Sequence, residues 1–455
     1  MDNDSKSLNT YVVEVLGCKV NQYDARQIVR LLEGFGLREA PACPAGGRGA
    51  DLVVVHTCGV TATAVKKCRQ TMHRMIRKNP DATAFLTGCA AAEEVIGELD
   101  GVDARITAGA GWIQKVVDEL QSFSLPNPDF HLPENADELP AESFGGHTRA
   151  FLKIQDGCDA NCAYCIVPQL RKTPRDKSVE AAVTEAEALV KRGYKEIVIT
   201  GVHVGLYGRG SDSSLSDVLA RIVAVPNIGR IRMSSLHPAE LTDELLAVWA
   251  GSPNMMPHVH LSLQSGSDGV LERMGRGYTT DDYAAAVTRV RTALGRHKRS
   301  PQANGYSDWC SRFVGDFFPP SITTDVIVGF PGETDEEFEE TFAFCKRIGF
   351  AGMHIFSYSP RPGTRAVDMP NRVDPKVAHA RHQRLSDLAK EMTLAFNRMF
   401  IGQTVNVLVE RCKEGVCSGG SEHYVQTYFN GSARQHRTIV PVRISDASAD
   451  RLIAG

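Results

Sequence analysis

The chain has 455 residues, enough for two or three domains with well-buried cores. Lys and Arg total 51 against 54 Asp and Glu, so the net charge is −3 and the chain is not basic overall. Binding to a nucleic acid would therefore need a local basic patch. The polar start and the lack of an apolar run of about 18 residues predict a cytoplasmic protein without a signal peptide or membrane span.

Residues 9–120 alternate between short β-rich runs and helical stretches. The β-rich runs are TYVVEVLG, ADLVVVHT and ATAFLTG. The helical stretches that follow them are QYDARQIVRLLEGFG, TATAVKKCRQTMHRMIRKN and AAEEVIGELDG. This β-α-β-α-β-α order predicts a small α/β domain with a parallel sheet flanked by helices.

The middle of the chain begins with a change of character. Residues 121–147 contain four prolines and several acids without sustained periodicity, which is typical of a linker. Residues 148–395 return to β-α alternation, with six predicted strands: RAFLKIQ, EIVITG, RIRMSS, HVHLSLQ, ITTDVIVGF and GMHIFSYS. Six strands with helical crossovers predict a barrel or partial barrel whose active site lies at the carboxyl ends of the strands.

Residues 402–455 read as a third, all-β unit. GQTVNVLVERC, GGSEHYVQTYF and RTIVPVRIS are short β-rich runs separated by turn residues, which predict a small antiparallel barrel. Cys412 and Cys417 flank a turn there. We expect a free hairpin pair rather than a metal pair, and a reducing cytosol argues against a disulfide framework among the 12 cysteines.

Three cysteines follow the first strand of the middle unit at short spacing. The segment IQDGCDANCAYCIVP places Cys158, Cys162 and Cys165 as C-x3-C-x2-C. Three such thiolates can hold three irons of a four-iron cubane and leave the fourth iron open to a chelating ligand. Structural zinc needs a fourth ligand, whereas His147 and His203 stand alone in their segments. The ferredoxin spacing C-x2-C-x2-C does not match either.

Three other cysteines are far apart in sequence but equivalent in position. Cys18, Cys58 and Cys89 each follow one of the three N-terminal β-rich runs. Because the carboxyl ends of parallel strands share one edge, these thiols are expected to converge and to hold a second cluster with an open iron. The alternative is three small buried core residues. Cys43, Cys68 and Cys345 do not fit this pattern and are left out.

Several segments together resemble the methylthiotransferase family of radical S-adenosylmethionine (SAM) enzymes. They are LGCKVNQYDAR, HTCGVTATAVKK, TGCAA, GGHTRAFLKIQDGCDANCAYCIVP, GVHVGLYG, SSLHP, HLSLQSGSDGVLERMGRGYT and TDVIVGFPGETDEEFEET. The resemblance covers nearly the whole chain. It implies an N-terminal three-cysteine domain, a partial (β/α)6 radical SAM barrel and a C-terminal TRAM-like barrel that binds RNA.

The resemblance also implies the chemistry and the partners. A 5′-deoxyadenosyl radical is made from SAM at the first [4Fe–4S] cluster, the second cluster carries or supplies sulfur, and a second SAM donates a methyl group. An unactivated C–H bond has no useful acidity, so a radical is needed in place of a base. The implied partners are tRNA, a low-potential donor such as flavodoxin or ferredoxin, and a sulfur donor, with the enzyme a monomer.

The substrate branch is read from the residues after Cys18. Lys19 and Val20 in GCKVNQYD, with TCGVT, are similar to the branch that modifies C2 of N6-threonylcarbamoyladenosine at position 37 of tRNA. The isopentenyladenosine branch tends toward GCQMN and the ribosomal-protein branch toward GCPKN. These two branches remain alternatives, as does a non-catalytic RNA-binding scaffold with structural clusters.

Candidate cofactor contacts lie in loops at the predicted strand ends. They are Tyr164, Gly201, Gly205, Gly208, His260, Ser262, Gln264, Gly329 and Glu333. Glycines allow close backbone approach, and His260, Ser262 and Gln264 alternate along HLSLQS, so they share one face of a strand. The alternatives are ordinary turns, a hydrogen-bonded core network and, for Glu333, a helix N-terminal acid.

Candidate RNA contacts adjoin the two cysteine groups. They are Lys66, Lys67, Arg74, Arg171 and Arg175. Tyr424 and Tyr428 are available for base stacking in the terminal barrel. Residues 296–318 look like an insertion before the TTDVIVGF strand, and we expect them to lie outside the barrel.

Overall fold

The computed structural model describes residues 6–41, 49–91, 104–107, 109, 111–133, 135–141, 143–295 and 319–455. Among these residues, no helix combines the length and the apolar character that crossing a membrane requires. The predicted insertion at 296–318 lies outside the described residues. The remaining chain forms an α/β domain, a partial parallel barrel and a small closed β-barrel, which confirms the predicted fold class.

The N-terminal domain is built on a parallel sheet with the order β2-β1-β3-β4-β5. Its elements are β1 (Thr10–Val15), α1 (Lys19–Gly34), β2 (Arg38–Glu39), β3 (Leu52–Thr57), α2 (Ala62–Lys78), β4 (Thr83–Gly88), β5 (Ala104–Thr107) and α3 (Trp112–Leu120). The three predicted strands are confirmed as β1, β3 and β4, and the first two predicted helices as α1 and α2. The third predicted helix lies, beyond Ala91, outside the described residues.

The central position of β3 explains its composition. All six of its residues, LVVVHT, are buried, because both of its edges are paired and helices cover both faces. The strands β2 and β5 flank the predicted three, and the sequence patterns had not indicated them. The helix α2 begins at Thr61, whose side chain accepts a hydrogen bond from the amide of Ala64 at 3.1 Å.

The segment 121–147 packs closely on both of its neighbours. The amide of Leu8 donates to the carbonyl of Ser124, and the ring of Phe130 meets the ring of Phe35 edge-on at 5.2 Å. Further along, Ala141 and Phe144 are fully buried. The described part of the segment contains one short 3-10 helix, Ala136–Glu138. The segment therefore connects the domains and also fills the space between them.

The middle domain contains all six predicted strands, in chain order around a curved sheet. The six strands are β6 (Ala150–Asp156), β8 (Glu196–Gly201), β9 (Arg230–Met233), β10 (His258–His260), β11 (Ser321–Val328) and β12 (Gly352–Ser357), and the unpredicted short strand β7 (Arg175–Asp176) lies at the edge beside β6. Pairing is parallel except for the short β7 on β6. Backbone hydrogen bonds of Ile231 and Leu236 to the chain around β10 join the two halves of the sheet.

Helices cover the outer face of this sheet. They are α5 (Val179–Lys191), α6 (Leu215–Val223), α7 (Asp243–Gly251), α8 (Asp268–Met274), α9 (Thr280–Gly295), α10 (Asp335–Ile348) and α11 (Pro375–Arg398). The short α4 (Val167–Leu170) buries no residue and follows the cysteine loop instead. Alternate strand residues such as Ile197, Ile199 and Ile231 are buried in one apolar core with these helices. Intervening strand residues such as Lys153, Gln155, Thr200 and Arg232 are polar, so the inner face of the barrel carries polar groups that the outer face lacks.

The C-terminal unit is a closed barrel with the order β13-β14-β15-β17-β16. Its strands are β13 (Thr404–Lys413), β14 (Val416–Ser421), β15 (Gln426–Asn430), β16 (Ile439–Ala447) and β17 (Leu452–Ala454). Four pairings are antiparallel as predicted, but β15 and β17 pair in parallel and close the barrel. The expectation of a free thiol pair is wrong, since Cys412 and Cys417 face each other across the β13–β14 hairpin and form a disulfide.

Buried arginines attach the C-terminal barrel to the end of the middle domain where its strands begin. Arg230 donates to the carbonyls of Asn406 (2.5 Å) and Gly420 (3.1 Å). Arg232 donates to the carbonyls of Ser421 (2.6 Å) and Glu422 (3.0 Å). Both arginines are 1% exposed or less. One end of the partial barrel is thereby closed, and the opposite end, at the strand carboxyl termini, remains for the site.

Candidate active site

The sheet edge of the N-terminal domain brings Cys18, Cys58 and Cys89 together. Cys58 and Cys89 directly follow β3 and β4, and Cys18 caps α1 three residues after β1. Asn21 lies among them: its Oδ1 is 4.0 Å from Cys18 Sγ and 3.8 Å from Cys89 Sγ. Its Nδ2 donates to the carbonyls of Leu16 and Thr57, both at 2.8 Å, which fixes the amide. The three thiols therefore share one site, as the strand alternation predicted.

Cys68 lies behind this group but is turned toward backbone. Its Sγ accepts from the amide of Cys58 at 3.4 Å and donates to the carbonyl of the same residue at 3.5 Å. Burial, helped by the neighbouring thiols of Cys89 and Cys18, raises the pKa of Cys58 to about 11. A thiol with so high a pKa becomes a thiolate when a bound cation compensates its charge.

The second triad, Cys158, Cys162 and Cys165, lies in the loop after β6. The amide of Cys158 donates to the carbonyl of Arg171 at 3.0 Å. Ala163, between the other two cysteines, donates to the carbonyl of Met274 at 2.8 Å. Burial, helped by the other two thiols, raises the pKa of Cys165 to about 11. Backbone anchors thus hold the loop, so the three side chains are free to act as ligands.

Two side chains outside the triad contact its sulfurs. Arg276 Nη1 is 3.3 Å from Cys162 Sγ and 3.4 Å from the Tyr164 hydroxyl. His203 Nδ1 is 3.4 Å from Cys158 Sγ, and its Nε2 meets a carboxylate oxygen of Glu240. Burial alone would lower the pKa of His203, but the hydrogen bonds to Cys158 and Glu240 raise it to about 9. The expectation that His203 stands apart from the triad is therefore wrong. The turn after β8 places its ring against Cys158.

The spacing of the sulfurs fits a cluster better than a single ion. Among the described residues, one group of potential ligands has all its ligand atoms within 4.8 Å of one another, and it consists of His203, His237 and Glu240. Neither cysteine triad forms a group as close as this one among the described residues. A tetrahedral zinc would hold its sulfurs closer together, whereas a four-iron cubane places each sulfur on a different iron. Three-thiolate groups at both positions suit clusters with one open iron.

The loop after β8 contains the predicted glycines in tight places. Gly201 ends β8 against Gln155, whose Cβ a side chain at position 201 would approach to 3.0 Å. A Cβ at Gly205 would lie 1.9 Å from Glu240 Oε2. Gly208 has a φ of +82°, and its amide donates to Asp176 Oδ2 at 2.7 Å. Gly205 and Gly208 therefore shape the loop that presents His203 to the triad.

His260, Ser262 and Gln264 lie on the inner face of the barrel, as the alternation predicted. His260 bonds to the hydroxyl of Thr323 at 3.0 Å, and its Nε2 is 3.3 Å from Asp325 Oδ2. Ser262 is buried. Gln264 ends the run with a φ of +69° while its amide and carbonyl bond to β11. A non-glycine residue held in this region is strained, which is typical of functional positions.

The turn after β11 is held by a hydrogen bond to a side chain of the turn itself. Gly329 has a φ of +72°, and its amide donates to Glu333 Oε2 at 2.7 Å. The same buried carboxylate accepts from Arg381 Nη1 at 2.7 Å. Glu333 therefore holds the turn through its own side chain, and this finding favours the structural alternative for that residue.

The basic residues predicted for RNA are in four different environments. Lys66 and Lys67 are exposed on α2, four and five residues into the helix that follows Cys58. Arg74, on the same helix, is exposed and paired with Glu14 at 2.9 Å. Arg175 lies on β7, opposite Asp156, and lines the same cavity as Cys89. The expectation for Arg171 needs correction, because its guanidinium is buried in a network of ion pairs and is not free to meet a phosphate.

The network around Arg171 joins the two domains. Its Nη2 donates to Asp24 Oδ2 at 2.5 Å, and its Nη1 to both oxygens of Asp156 at 2.7 and 2.9 Å. Lys153 pairs with the same two carboxylates at 2.5 and 3.0 Å. Burial alone would raise the pKa of Asp156, but Arg171 and Lys153 hold it at about 2. A cavity of about 30 Å³ beside this network is lined by residues of both domains, including Cys89 and Arg171.

The aromatic residues predicted for base stacking already have partners. The ring of Tyr424 stacks on His258 at 4.5 Å, with the guanidinium groups of Arg149 and Arg232 at 5.2 and 5.0 Å. Arg451 lies over the ring of Tyr428 at 4.9 Å. Tyr424 is part of the contact between the middle domain and the terminal barrel and is still 40% exposed, so base stacking by this residue stays a prediction.

Sequence reasoning missed four residues that complete the site. His203 lies in GVHVGLYG and had been considered only as a lone histidine. Arg276 lies in the noted segment HLSLQSGSDGVLERMGRGYT, and Glu240 lies two residues beyond the noted SSLHP. Their polar side chains within strand-end loops were an available signal. Asp24 left no such signal, since an acidic residue on a helix is ordinarily exposed and here is fully buried.

A parallel partial barrel with a C-x3-C-x2-C triad after its first strand defines a radical SAM enzyme. Residues 152–299 match the radical SAM superfamily, and residues 10–104 match the uncharacterized protein family UPF0004. The threonylcarbamoyladenosine tRNA methylthiotransferase of Thermotoga maritima is 34% identical over 433 residues, covering 93% of this chain and 92% of that protein. The chain therefore belongs to the family of radical SAM methylthiotransferases, which confirms the resemblance.

Other relatives also match over most of their length and most of this chain. The threonylcarbamoyladenosine tRNA methylthiotransferase of Bacillus subtilis is 33% identical, with 96% of this chain and 94% of that protein covered. The tRNA-2-methylthio-N(6)-dimethylallyladenosine synthase of a Parafrankia strain is 34% identical, with 88% and 78% covered. As a member of this family the chain is a transferase whose cofactors are SAM and [4Fe–4S] clusters, two per chain, as predicted.

The fold is also similar to solved structures. The radical SAM methyltransferase TsrM of Kitasatospora setae matches with a TM-score of 0.53 over 90% of this chain and 80% of that chain, at 15% sequence identity. A second structure of that enzyme, with tryptophan and a SAM analogue bound, matches with a TM-score of 0.51 over 77% and 73%, also at 15% identity. At this identity the likeness is one of architecture.

Proposed function

We propose that the chain attaches a methylthio group to C2 of the adenine in N6-threonylcarbamoyladenosine at position 37 of tRNA. The observation that supports it most is near full-length similarity to proteins named for this activity, together with two three-cysteine groups in one chain. Lys19 and Val20 after the first cysteine favour the same branch. A second candidate is the dimethylallyladenosine substrate, because a relative named for it reaches the same 34% identity.

The two cysteine groups have separate roles in this proposal. Cys158, Cys162 and Cys165 hold the cluster that works with SAM, and Cys18, Cys58 and Cys89 hold the auxiliary cluster. When bound, the first cluster and SAM supply a 5′-deoxyadenosyl radical that takes hydrogen from an unactivated carbon. Arg276 and His203, at 3.3 and 3.4 Å from two of the sulfurs, orient the ligands and compensate thiolate charge.

The inner face of the barrel would bind SAM. His260, Ser262 and Gln264 present polar groups there, and Gly201 leaves room beside Gln155. Tyr164 packs against the apolar cluster that includes Met274 and Phe330 and receives a hydrogen bond from Arg276, which keeps the cysteine loop in place. Gly205, Gly208, Gly329 and Glu333 act on the shape of the loops around this site.

The substrate would approach along α2 and the open strand ends. Lys66, Lys67 and Arg74 place positive charge on an exposed helix whose start adjoins Cys58, where a phosphate backbone must pass if the base is to reach both triads. Arg175 adds charge on the other side. A low-potential electron donor and a sulfur donor complete the partners. A single copy suffices, since one chain supplies both cysteine groups.

The test is nucleoside mass analysis of tRNA from a deletion strain. We expect the 2-methylthio form of threonylcarbamoyladenosine to disappear and the unmethylthiolated form to accumulate. The wild-type chain and a Cys345→Ala variant, which changes a buried thiol outside both triads, should restore it. Cys58→Ala and Cys162→Ala should not. Loss of the methylthio group from dimethylallyladenosine instead would refute the first candidate in favour of the second.

A further inference from the structure

Arg171 contacts both cysteine triads. Its carbonyl accepts from the amide of Cys158 at 3.0 Å, so its main chain holds the loop of the radical triad. Its side-chain Nε donates to Cys89 Sγ at 3.3 Å, in the other domain. A single residue thus connects the ligands of two clusters that belong to separate sheets.

The guanidinium cannot turn away from Cys89 without losing other bonds. Its two outer nitrogens are held by Asp24 and Asp156 at 2.5 to 2.9 Å, and its side chain is 11% exposed. Because the group is planar, fixing both outer nitrogens fixes the direction of Nε. Each anchor also belongs to a triad: Asp24 lies on the helix that Cys18 caps, and Asp156 precedes Cys158 by two residues.

We propose that Arg171 is a positioning residue that sets the auxiliary triad against the radical triad and raises the reduction potential of the auxiliary cluster. A positive donor on a ligating sulfur stabilises the reduced, more negative state of a cluster, because hydrogen bonds and nearby charge tune cluster potentials. This inference rests on the proposed function, since it takes Cys18, Cys58 and Cys89 as cluster ligands.

The surroundings allow this role to be separated from a purely structural one. Lys153 pairs with both Asp24 and Asp156, so these carboxylates keep one cation when Arg171 is replaced. Arg171→Lys preserves the charge, but a single ammonium group cannot bond in fixed directions to two carboxylates and a sulfur. If only charge mattered, Lys would restore the wild-type behaviour. If direction matters, it would not.

The experiment uses the full-length chain with Cys158, Cys162 and Cys165 all changed to Ala, so that the auxiliary triad alone can bind iron. After anaerobic reconstitution we expect about four irons per chain, the content of one cubane. EPR-monitored redox titration should give a lower midpoint potential for Arg171→Lys and Arg171→Met. The matched control is Arg384→Met, which removes a two-pronged ion pair with Glu339 on the surface and should leave the midpoint unchanged.

In the otherwise wild-type enzyme, Arg171→Lys should still cleave SAM. The yield of methylthiolated product per 5′-deoxyadenosine should fall about tenfold or more, because misplacing reacting groups by about 1 Å costs this much or more. An unchanged midpoint together with unchanged yield in Arg171→Lys overturns the inference, even if Arg171→Met fails to fold. Absence of iron in the triple-cysteine variant refutes the auxiliary cluster itself, and with it both the proposed function and this inference.

Discussion

Glu196 is the buried carboxylate on which the attachment of the C-terminal barrel depends. It is 1% exposed and lies 3.0 Å from Arg232, 3.2 Å from Arg149 and 3.7 Å from Arg230. The change Glu196→Gln keeps the shape and removes the negative charge. Removing one partner of a buried pair costs about 3–5 kcal/mol, because the other charge stays buried without compensation. Since Gln can still accept one hydrogen bond, we expect about 3 kcal/mol.

The assay is hydrogen exchange of the C-terminal barrel, where the arginines bond to backbone carbonyls. A loss of about 3 kcal/mol corresponds to about a hundredfold faster exchange in β13 and β14, at about 1.4 kcal/mol per factor of ten. The control Glu339→Gln removes an exposed pair with Arg384 and should cost about 1 kcal/mol or less. Equal exchange in the two variants would refute the reasoning.

The same carboxylate gives a pH dependence with a definite sign. Burial alone would raise the pKa of Glu196, but Arg232, Arg149 and Arg230 lower it below its ordinary value of 4.5. A carboxyl with a lowered folded pKa contributes stability above its unfolded pKa and loses it as the pH falls through the folded one. The difference between wild type and Glu196→Gln should therefore be constant near neutrality and shrink below about pH 4.5.

Three further perturbations test other parts of the structure. Tyr23→Phe removes a buried hydroxyl that donates to Glu185 at 2.9 Å and accepts from Lys177 at 2.8 Å. This change should lower the free energy of unfolding by about 1–3 kcal/mol. Tyr428→Phe is the control and should be nearly neutral. Cys412→Ser opens a disulfide that spans five positions, and calorimetry should show the terminal barrel destabilised by about 2 kcal/mol without loss of iron. Changing Lys66 and Lys67 to Glu should weaken tRNA binding and reduce the slope of log Kd against log salt concentration by about 0.7–0.9 per lost phosphate contact. The control changes the exposed Lys191 and Lys346 to Glu and should leave both the affinity and the slope unchanged.

Most of the fold could be predicted from the alternation of β-rich and helical segments along the chain. Each predicted strand of the barrel is present and in order, because β-α-β connections leave few topologies open. The convergence of Cys18, Cys58 and Cys89 followed from the same rule. The edge strands β2 and β5 were missed because two and four residues give too little pattern to recognise. The parallel closure of β15 on β17 depends on contacts between residues far apart in the chain.

Arg171 was misread because it lies where domains meet. It resembles a phosphate-binding arginine in a basic segment until a second domain is placed against it, and Tyr424 likewise takes a partner from another domain. A linear pattern records the neighbours of a residue along the chain, whereas each of these side chains takes at least one partner from an element more than 100 positions away. Burial of a charged or amphipathic side chain at such an interface has no periodic signature.

The charge balance at the interface between the first two domains suggests why it is polar. Lys153 and Arg171 face Asp24 and Asp156, so two cations meet two carboxylates and each group has a partner of opposite sign. Such a network adds little net stability over an apolar contact of the same size, because desolvation offsets the attraction. It does fix direction, since every bond has a preferred angle. An enzyme that must keep two clusters at one separation gains more from directional bonds than from apolar packing, which tolerates sliding. The position of Arg171, bonded to a cysteine loop on each side, is the strongest indication that orientation is what this interface provides.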